Sequence, residues 1–230
     1  MLFAGALTSV AALLPAAQAL PSSVDDHGVF ELFVEGRPVG TEKFEIRSGK
    51  DGVEAQAEIH LRVDQGGKTV DEKSYPSLTL NSKLYPVSYT WSQKGSQSSD
   101  LQADFRSSPA KTRYKTVTGQ EDDRDFQLPP DVAVLDDNVV HHYQLIVNRY
   151  RWTSGGKQTF HVFIPQEAMP GDITVEEAGP EEVKVGETSL NLQHLVVTAE
   201  LARIDLWVDG QQHLQRISIP EAHFEGVRKK

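Results

Sequence analysis

The sequence predicts a mainly β protein, an open antiparallel β-roll or half-barrel that encloses one amphipathic α-helix. Short runs of apolar residues with a period of two, separated by Ser, Gly, Asn and Pro clusters, occupy most of the chain. The stretch 139–150 changes to the helical period. The clearest strand has one wholly polar face, which is typical of a sheet that packs against the core on one side and is exposed to solvent on the other.

The composition indicates a globular protein of 230 residues with a formal net charge of -10. A chain of this length buries a sizeable core without disulfides or metals. The acidic balance argues against a nucleic-acid surface, because phosphate binding needs clustered Lys and Arg. The basic cluster Arg228–Lys230 is interpreted as a solvated tail. The sequence has no cysteine, which excludes disulfides, thiolate metal sites and a cysteine nucleophile.

Residues Met1 to Ala19 contain no charged side chain and end in the small-x-small sequence Ala17-Gln18-Ala19. This pattern predicts a signal peptide that is cut after Ala19, with 20–230 as a single β-roll domain. The run is rich in alanine and interrupted by Pro15, so it is a poor membrane-spanning helix. We therefore expect an exported protein, located in the periplasm.

The first strands are predicted between Gly28 and Ile46, as two β runs joined at the Gly- and Pro-containing turn Glu35–Pro38. The strand Val53–Asp64 comes next, with polar residues at every second position. Its apolar face comprises Val53, Ala55, Ala57, Ile59, Leu61 and Val63. A turn over 64–68 then brings Thr69 to Tyr75 back as the partner strand.

The middle of the chain continues as an antiparallel meander. Strands are predicted at Tyr85 to Trp91, Leu101 to Phe105 and Tyr114 to Val117. The polar segment from Gly119 to Asp125 is a charge run of the kind found in mobile loops, so no strand is expected there.

The predicted helix follows, with apolar residues at Val139, Val140, Tyr143, Ile146, Val147 and Tyr150. Asp136, Asp137 and Asn138 are expected to offer side-chain oxygens to the free amides of its first turn. One helix cannot bury a broad apolar face alone, so we expect it to lie against the concave side of the sheet.

After the helix, strands are predicted at Thr159 to Pro165, Ile173 to Ala178 and Leu190 to Leu201. A hairpin is predicted in the segment Ile204 to Pro220, turning at Asp209-Gly210 because glycine tolerates positive φ.

Several short segments resemble an uncharacterised family of exported bacterial β-roll proteins. They are Gly28–Phe30, Val39–Glu42, Val134–Asn138, Leu206–Asp209 and Leu214–Ile217. The resemblance covers most of the chain after the leader. It implies an open antiparallel roll around a helix, broadly similar to the carriers that move lipoproteins across the periplasm, and it supplies no catalytic residues.

The chain carries no serine-hydrolase elbow, zinc-protease helix, phosphate loop or dinucleotide turn. The candidate metal ligands are Asp136, Asp137, His141 and His142. Two imidazoles and two carboxylates suit zinc or another divalent ion. Adjacent helical residues point about 100° apart, so we interpret His141 as an outward-facing partner of Asp137 and His142 as a residue at the edge of the apolar face.

Aromatic residues form the second candidate site, because they could line an apolar cavity with polar tips. The predicted ligand-binding residues are Tyr85, Tyr89, Trp91, His142, Tyr143, Tyr150 and Trp207. The alternative is that these aromatics are ordinary core residues of strands. Arg149 and Arg151 flank Tyr150 and would either close over an anionic head group or pair with carboxylates.

The sequence leaves three functions open. The preferred one is a non-enzymatic exported protein that binds an apolar or amphipathic, lipid-like small molecule in the roll, without a cofactor and with the helix as plug or lid. The second is a metal-dependent hydrolase built on Asp136, Asp137, His141 and His142. The third is an envelope scaffold with a fully packed core and a protein partner.

Overall fold

The computed structural model describes residues 24–65, 68–95, 98–116, 118–200 and 202–229, so the predicted signal peptide over 1–19 lies outside the described residues. In these ranges the strands are β1 Asp26–Val34, β2 Arg37–Gly49, β3 Gly52–Gln65, β4 Lys68–Ser74, β5 Ser77–Leu80, β6 Pro86–Lys94, β7 Ser99–Asp104, β8 Ala110–Lys115, β9 Glu121–Phe126, β10 Ala133–Val134, β11 Gln158–Ile164, β12 Met169–Val185, β13 Thr188–Thr198, β14 Arg203–Val208, β15 Leu214–Ile219 and β16 Phe224–Arg228. Helix α1 spans His141–Arg149, and a short 3₁₀ helix spans Pro220–Ala222.

The sixteen strands of the described chain form one sheet, with the order β10-β11-β12-β13-β14-β15-β16-β1-β2-β3-β4-β6-β7-β8-β9 and with β5 bridging β3 and β6. The pairings are antiparallel except for β10 with β11. The first and last strands, β1 and β16, are neighbours in the middle of the sheet. The mainly β, antiparallel fold with one helix is therefore as predicted.

The two ends of the sheet curl towards each other. The ring of Phe126 in β9 lies 4.8 Å from the ring of Phe163 in β11. Phe105, which follows β7, packs edge-on against the same ring at 6.3 Å. Within the described ranges no strand pairing joins β9 to β10 or β11, so the roll stays open at this seam.

The predicted hairpin between β1 and β2 is confirmed. Glu35 and Gly36 both adopt positive φ, at 52° and 72°, which is the conformation of a tight two-residue turn. The clearest predicted strand is also confirmed as β3, where Ala55 and Ile59 are buried while His60 faces outwards and bonds Asp71 of β4.

The segment predicted as a mobile loop forms edge strand β9 instead. Its charges do not prevent pairing, because Arg113 of β8 donates from Nε to Asp123 Oδ1 at 2.8 Å across the two strands. A row of charged side chains on an edge strand also discourages pairing with another chain. The charge run is therefore compatible with a strand whose other edge is free.

The turn between β14 and β15 lies where it was predicted, but a different residue takes the strained conformation. Gln212 has positive φ, at 66°, and Gly210 does not. Asp209 Oδ1 accepts the backbone N–H groups of Gln211 and His213, both at 2.9 Å. The aspartate side chain therefore organises a longer turn than a two-residue hairpin.

The interpretation of the basic C-terminal residues as a solvated tail is wrong for Arg228, which ends β16. Its guanidinium donates to both carboxylate oxygens of the buried Asp26, at 3.0 and 2.5 Å. It also lies over the rings of Phe30 and Phe44. A bidentate, partly desolvated pair of this kind fastens the last strand to the first.

Helix α1 lies inside the roll. Ile146 and Val147 of its predicted apolar face are buried, but Leu145 and the opposite face are buried as well. Gln144 accepts the N–H of Leu214 at 2.6 Å and donates to the carbonyl of Gln212 at 2.8 Å, which ties the helix to the β14–β15 hairpin. The curved sheet thus surrounds the helix, and its polar residues pair with protein groups. In the described part of the chain no helix is long and apolar enough to cross a membrane.

Candidate functional site

An apolar groove opens beside the N-terminal end of α1. Its volume is about 410 Å³, which lies within the range typical of small-molecule sites. The segment 135–140 forms one wall, and strands β11, β12, β14, β15 and β16 form the other. The apolar lining includes Val34, Val139, Tyr143, Val162, Met169, Ile204, Ile217, Ile219 and Phe224.

The rim of the groove exposes apolar surface. Val34 is 37% exposed and Met169 is 51% exposed, and these are the large hydrophobic residues that the described chain leaves exposed. Val34 is the last residue of β1 and Met169 is the first residue of β12, so both project where a strand ends at the groove. Exposed apolar side chains around a concave surface are typical of a binding site.

The polar lining of the groove is acidic. Asp136, Asp137, Asp172 and Glu200 belong to the lining, and the described lining contains neither Lys nor Arg. Burial, together with the neighbouring carboxyl of Glu167, raises the pKa of Asp137 to about 6. Asp172 Oδ1 lies 2.6 Å from His161 Nδ1.

Behind the groove wall, a buried carboxylate holds the start of the helix. Glu42 of β2 is 0% exposed and accepts the backbone N–H groups of Val140 and His141, each at 2.7 Å. Its Oε1 also lies 2.8 Å from Nδ1 of His141. These bonds satisfy free amides of the first turn and place a negative charge at the positive end of the helix.

The expectation that Asp136, Asp137 and Asn138 would cap the helix is therefore wrong, because Glu42 performs that role. Asn138 instead adopts positive φ, at 58°, in the turn that leads into the helix. The segment of chain just before the helix is thus free to line the groove.

A second buried group holds the other end of the same wall. Asp136 is 4% exposed, and its Oδ2 accepts the hydroxyl of Tyr89 at 2.6 Å while its Oδ1 accepts the N–H of Gln166 at 3.0 Å. The N–H of Asp136 donates to Nδ1 of His142 at 3.1 Å. Burial raises the pKa of Asp136. Burial and the negative charge of Asp136 together raise the pKa of Tyr89.

His142 is neutral in this environment. Burial and then the charge of His141 hold its pKa well below the ordinary value of 6.5. Because its Nδ1 accepts a hydrogen bond, its proton resides on Nε2. The Nε2 atoms of His141 and His142 are both buried without a hydrogen-bond partner among the described protein groups. We call Glu42, Tyr89, Asp136, His141 and His142 the buried network.

The structure divides the predicted ligand-binding residues among different places. Tyr143 lines the groove. Tyr89 and His142 belong to the buried network, with their rings 5.6 Å apart. Trp91 is a buried residue of the core. Tyr150 is also buried and donates its hydroxyl to the carbonyl of Gly156 at 2.7 Å.

The remaining two lie elsewhere. Trp207 stacks on His194, 5.0 Å between ring centroids, in a small apolar cluster separate from the main core. The ring of Tyr85 lies 5.4 Å from the guanidinium of Arg149. Arg149 also donates to the carbonyl of Asp131 at 2.6 Å, and burial lowers its pKa. Neither Arg149 nor the exposed Arg151 lines the groove.

The four candidate metal ligands do not form one cluster. The interpretation of His141 as outward-facing is wrong, since it is 0% exposed and bonds Glu42, not Asp137. His142 and Asp136 bond each other through the backbone of Asp136, and Asp137 pairs with Glu167. Across the described ranges, no group of three or more His, Cys, Asp or Glu residues is placed to hold a metal ion.

Sequence reasoning missed Glu42 and most of the groove lining. A signal for Glu42 was present, because it stands at the inward positions of β2 together with Phe44 and Ile46, two and four residues later. A carboxylate in an apolar row needs a buried partner. The groove residues Met169, Ile204 and Phe224 gave no such signal, because apolar residues in strands fit a closed core equally well.

Similarity to known proteins agrees with the fold. No curated protein matches the sequence. The crystal structure of a β-barrel-like protein of domain of unknown function DUF1849 from Brucella abortus is similar, with a TM-score of 0.60 and 11% identity over 90% of this chain and 96% of that chain. A DUF1089 family protein from Pseudomonas aeruginosa gives a TM-score of 0.46 and 11% identity over 93% of this chain and 98% of that chain. Residues 30–228 match DUF6134, a domain of unknown function, so the expected resemblance to an uncharacterised β-rich family is confirmed and the chain belongs to DUF6134.

Proposed function

We propose that this protein binds an apolar or amphipathic small molecule in the groove beside α1. The observation that carries the proposal is the groove of about 410 Å³ whose rim holds the exposed side chains of Val34 and Met169. A ligand tail that covers these residues gains about 25 cal/mol for each Å² of apolar area removed from water.

The walls of the groove support binding without a large rearrangement. Glu42 holds the backbone of Val140 and His141, and Tyr89 holds the side chain of Asp136, so the wall 135–140 is fixed from behind. A preformed site loses less conformational entropy when the ligand binds. The helix acts in this proposal as a fixed plug that fills the roll, and the groove is the space that it leaves.

Export to the periplasm belongs to the same proposal and rests on the residue pattern of 1–19 alone. The competing function is that of a scaffold, in which a partner protein inserts an apolar side chain into the groove. Native mass spectrometry of the protein purified from an exporting host separates the two, because a binding protein retains an extractable small molecule, whereas a scaffold is recovered with its protein partner and no small molecule.

The test is a fluorescence titration with N-phenylnaphthylamine, a neutral apolar probe, on the wild type and on Gly171→Phe. Gly171 lines the groove, and a Cβ built on it meets its first atom, Val162 Cγ2, at 3.9 Å, so a larger side chain enters without a clash of the backbone. We expect Gly171→Phe to weaken binding about tenfold or more, or about 1.4 kcal/mol.

The matched control is Gly210→Phe, at a position outside the groove where an added Cβ meets nothing within 4 Å. This variant should bind the probe as the wild type does. If the wild type does not bind the probe, or if Gly171→Phe binds it equally well, the groove is not the ligand site.

A further inference from the structure

We infer that the groove selects an amphiphile with a cationic head group, an ammonium on an apolar tail, over one with an anionic head group. This inference rests on the proposed function and names its ligand class. It follows from the charges around the groove and from their distribution over the fold.

The acidic residues of the groove lining come from separate elements. Asp137 stands in the segment before α1, Asp172 in β12, and Glu200 between β13 and β14. These residues meet at the groove only through the fold. The described lining contains no Lys or Arg, and the imidazole of His161, which lies 2.6 Å from Asp172 Oδ1, is not part of it. An ammonium in the groove would therefore meet acidic residues and no competing cation from the lining.

Asp137 lies beside another carboxyl group, that of Glu167. Its carboxyl shares a hydrogen bond with the carboxyl of Glu167, and the two charges repel each other. Burial, and then the hydrogen bond and the charge of Glu167, raise the pKa of Asp137 to about 6. An ammonium bound beside this pair would offset the repulsion between the two carboxylates.

An anionic head group has the opposite energetics. A carboxylate or phosphate placed at this rim would lose part of its hydration and meet like charges, which is a repulsive element against the wrong ligand. The apolar lining is indifferent to the sign of the head group. The apolar tail therefore contributes most of the affinity, and the carboxylates determine the selectivity for the head group.

The experiment compares three ligands with the same dodecyl tail at pH 7 and low salt, below their micelle concentrations. They are dodecylamine, dodecyl maltoside and laurate, which are cationic, neutral and anionic. Each displaces N-phenylnaphthylamine from the protein. We expect dodecylamine to bind at least about tenfold tighter than laurate, with dodecyl maltoside between them, and we expect the ratio to shrink as salt screens the charges.

The variant Asp137→Asn/Asp172→Asn/Glu200→Gln removes the charges and should bring the amine-to-laurate ratio close to one. The control variant Asp51→Asn/Glu54→Gln/Glu187→Gln removes the same number of charges from exposed residues outside the groove. It should keep the preference for the amine.

The outcomes separate this inference from the proposed function. Equal binding of the three ligands, tighter binding of laurate, or a preference that survives in the groove variant would overturn the head-group inference and leave the apolar site in place. Failure of all three ligands to displace the probe, or failure of the probe to bind, would overturn the proposed function as well.

Discussion

The segment 135–140 separates two regions of opposite character. On one side lies the buried network, where Glu42, Asp136 and His142 meet backbone and side-chain donors at hydrogen-bond distance. On the other side lies the groove, whose apolar wall is left open and whose rim is exposed. The difference explains how the roll holds an open cavity. Apolar contacts have no direction and would let the wall collapse inwards, whereas hydrogen bonds fix its position.

The comparison also predicts how each region responds to substitution. Removing a partner from the buried network leaves a polar group without water or a bond, which is costly. Removing a side chain from the rim of the groove leaves a space that water already reaches. We therefore expect large losses of stability on one side of the wall and losses of binding on the other.

The largest effect is expected for Glu42→Ala. The substitution leaves the N–H groups of Val140 and His141 and the ring of His141 without their buried acceptor. We expect the free energy of unfolding to fall by about 3 kcal/mol or more, measured by urea denaturation. Glu54→Ala, at an exposed position of β3, is the control and should change it by less than about 0.5 kcal/mol. A loss below about 1 kcal/mol for Glu42→Ala would show that the network does not hold the helix.

A smaller loss is expected for Tyr89→Phe, which removes only the hydroxyl that donates to buried Asp136. The free energy of unfolding should fall by about 1 to 3 kcal/mol, and probe binding should weaken because the groove wall loses its support. Tyr150→Phe removes a hydroxyl that donates to an uncharged carbonyl outside the groove, so it should cost less and leave binding unchanged. Unchanged probe binding in Tyr89→Phe would show that the buried network does not support the groove wall.

His142 of the buried network and Asp137 of the groove should respond to acid with opposite signs. His142 has a lowered pKa in the folded protein, so the unfolded chain binds the proton first and the stability from this residue is lost as pH falls below about 6.5. Asp137 has a raised pKa, about 6 against 3.8, so the folded protein binds the proton first and this residue adds stability as pH falls through that window.

The measurement for this prediction is the urea midpoint between pH 7 and pH 4. We expect His142→Phe to flatten the loss of stability with acid and Asp137→Asn to steepen it. Parallel pH profiles for wild type and His142→Phe would show that the buried imidazole does not contribute to acid sensitivity.

The smallest effect on stability is expected at the rim. Met169→Ser should change the free energy of unfolding by less than about 0.5 kcal/mol, because the side chain is 51% exposed. It should still weaken binding of N-phenylnaphthylamine several-fold, since the probe loses an apolar contact. Val162→Ser is the contrasting variant, because this groove residue is 5% exposed and its loss should reduce stability as well. Unaltered probe binding in Met169→Ser would place the ligand away from the rim.

The architecture was largely predictable. The alternation in β3, the turn at Glu35–Gly36 and the helical period before Tyr150 are local patterns, and each is confirmed. The strand β9 was not predictable in this way, because its charges are satisfied by pairing with β8 and not by burial. The turn residue Gln212 was missed because Asp209 organises that turn through its side chain.

The candidate site was predictable only in part. Tyr143, Asp136 and Asp137 were named as candidates, and they do line the groove. His141 was assigned to the outer surface because the helix was interpreted as amphipathic, with one face exposed to solvent. The roll surrounds the helix, so that face meets Glu42 and the assumption does not hold.

The sequence by itself determined which residues alternate, where the chain turns and where one helix forms, since these properties depend on neighbours within a few residues. Only the tertiary structure decided that Glu42 meets Val140, 98 residues later, and that Tyr89 meets Asp136, 47 residues later. It also decided which apolar side chains line an open groove and which are enclosed. The physical reason is that apolar patterning records which face is buried, whereas the partner of a buried group depends on the curvature and strand order of the whole sheet.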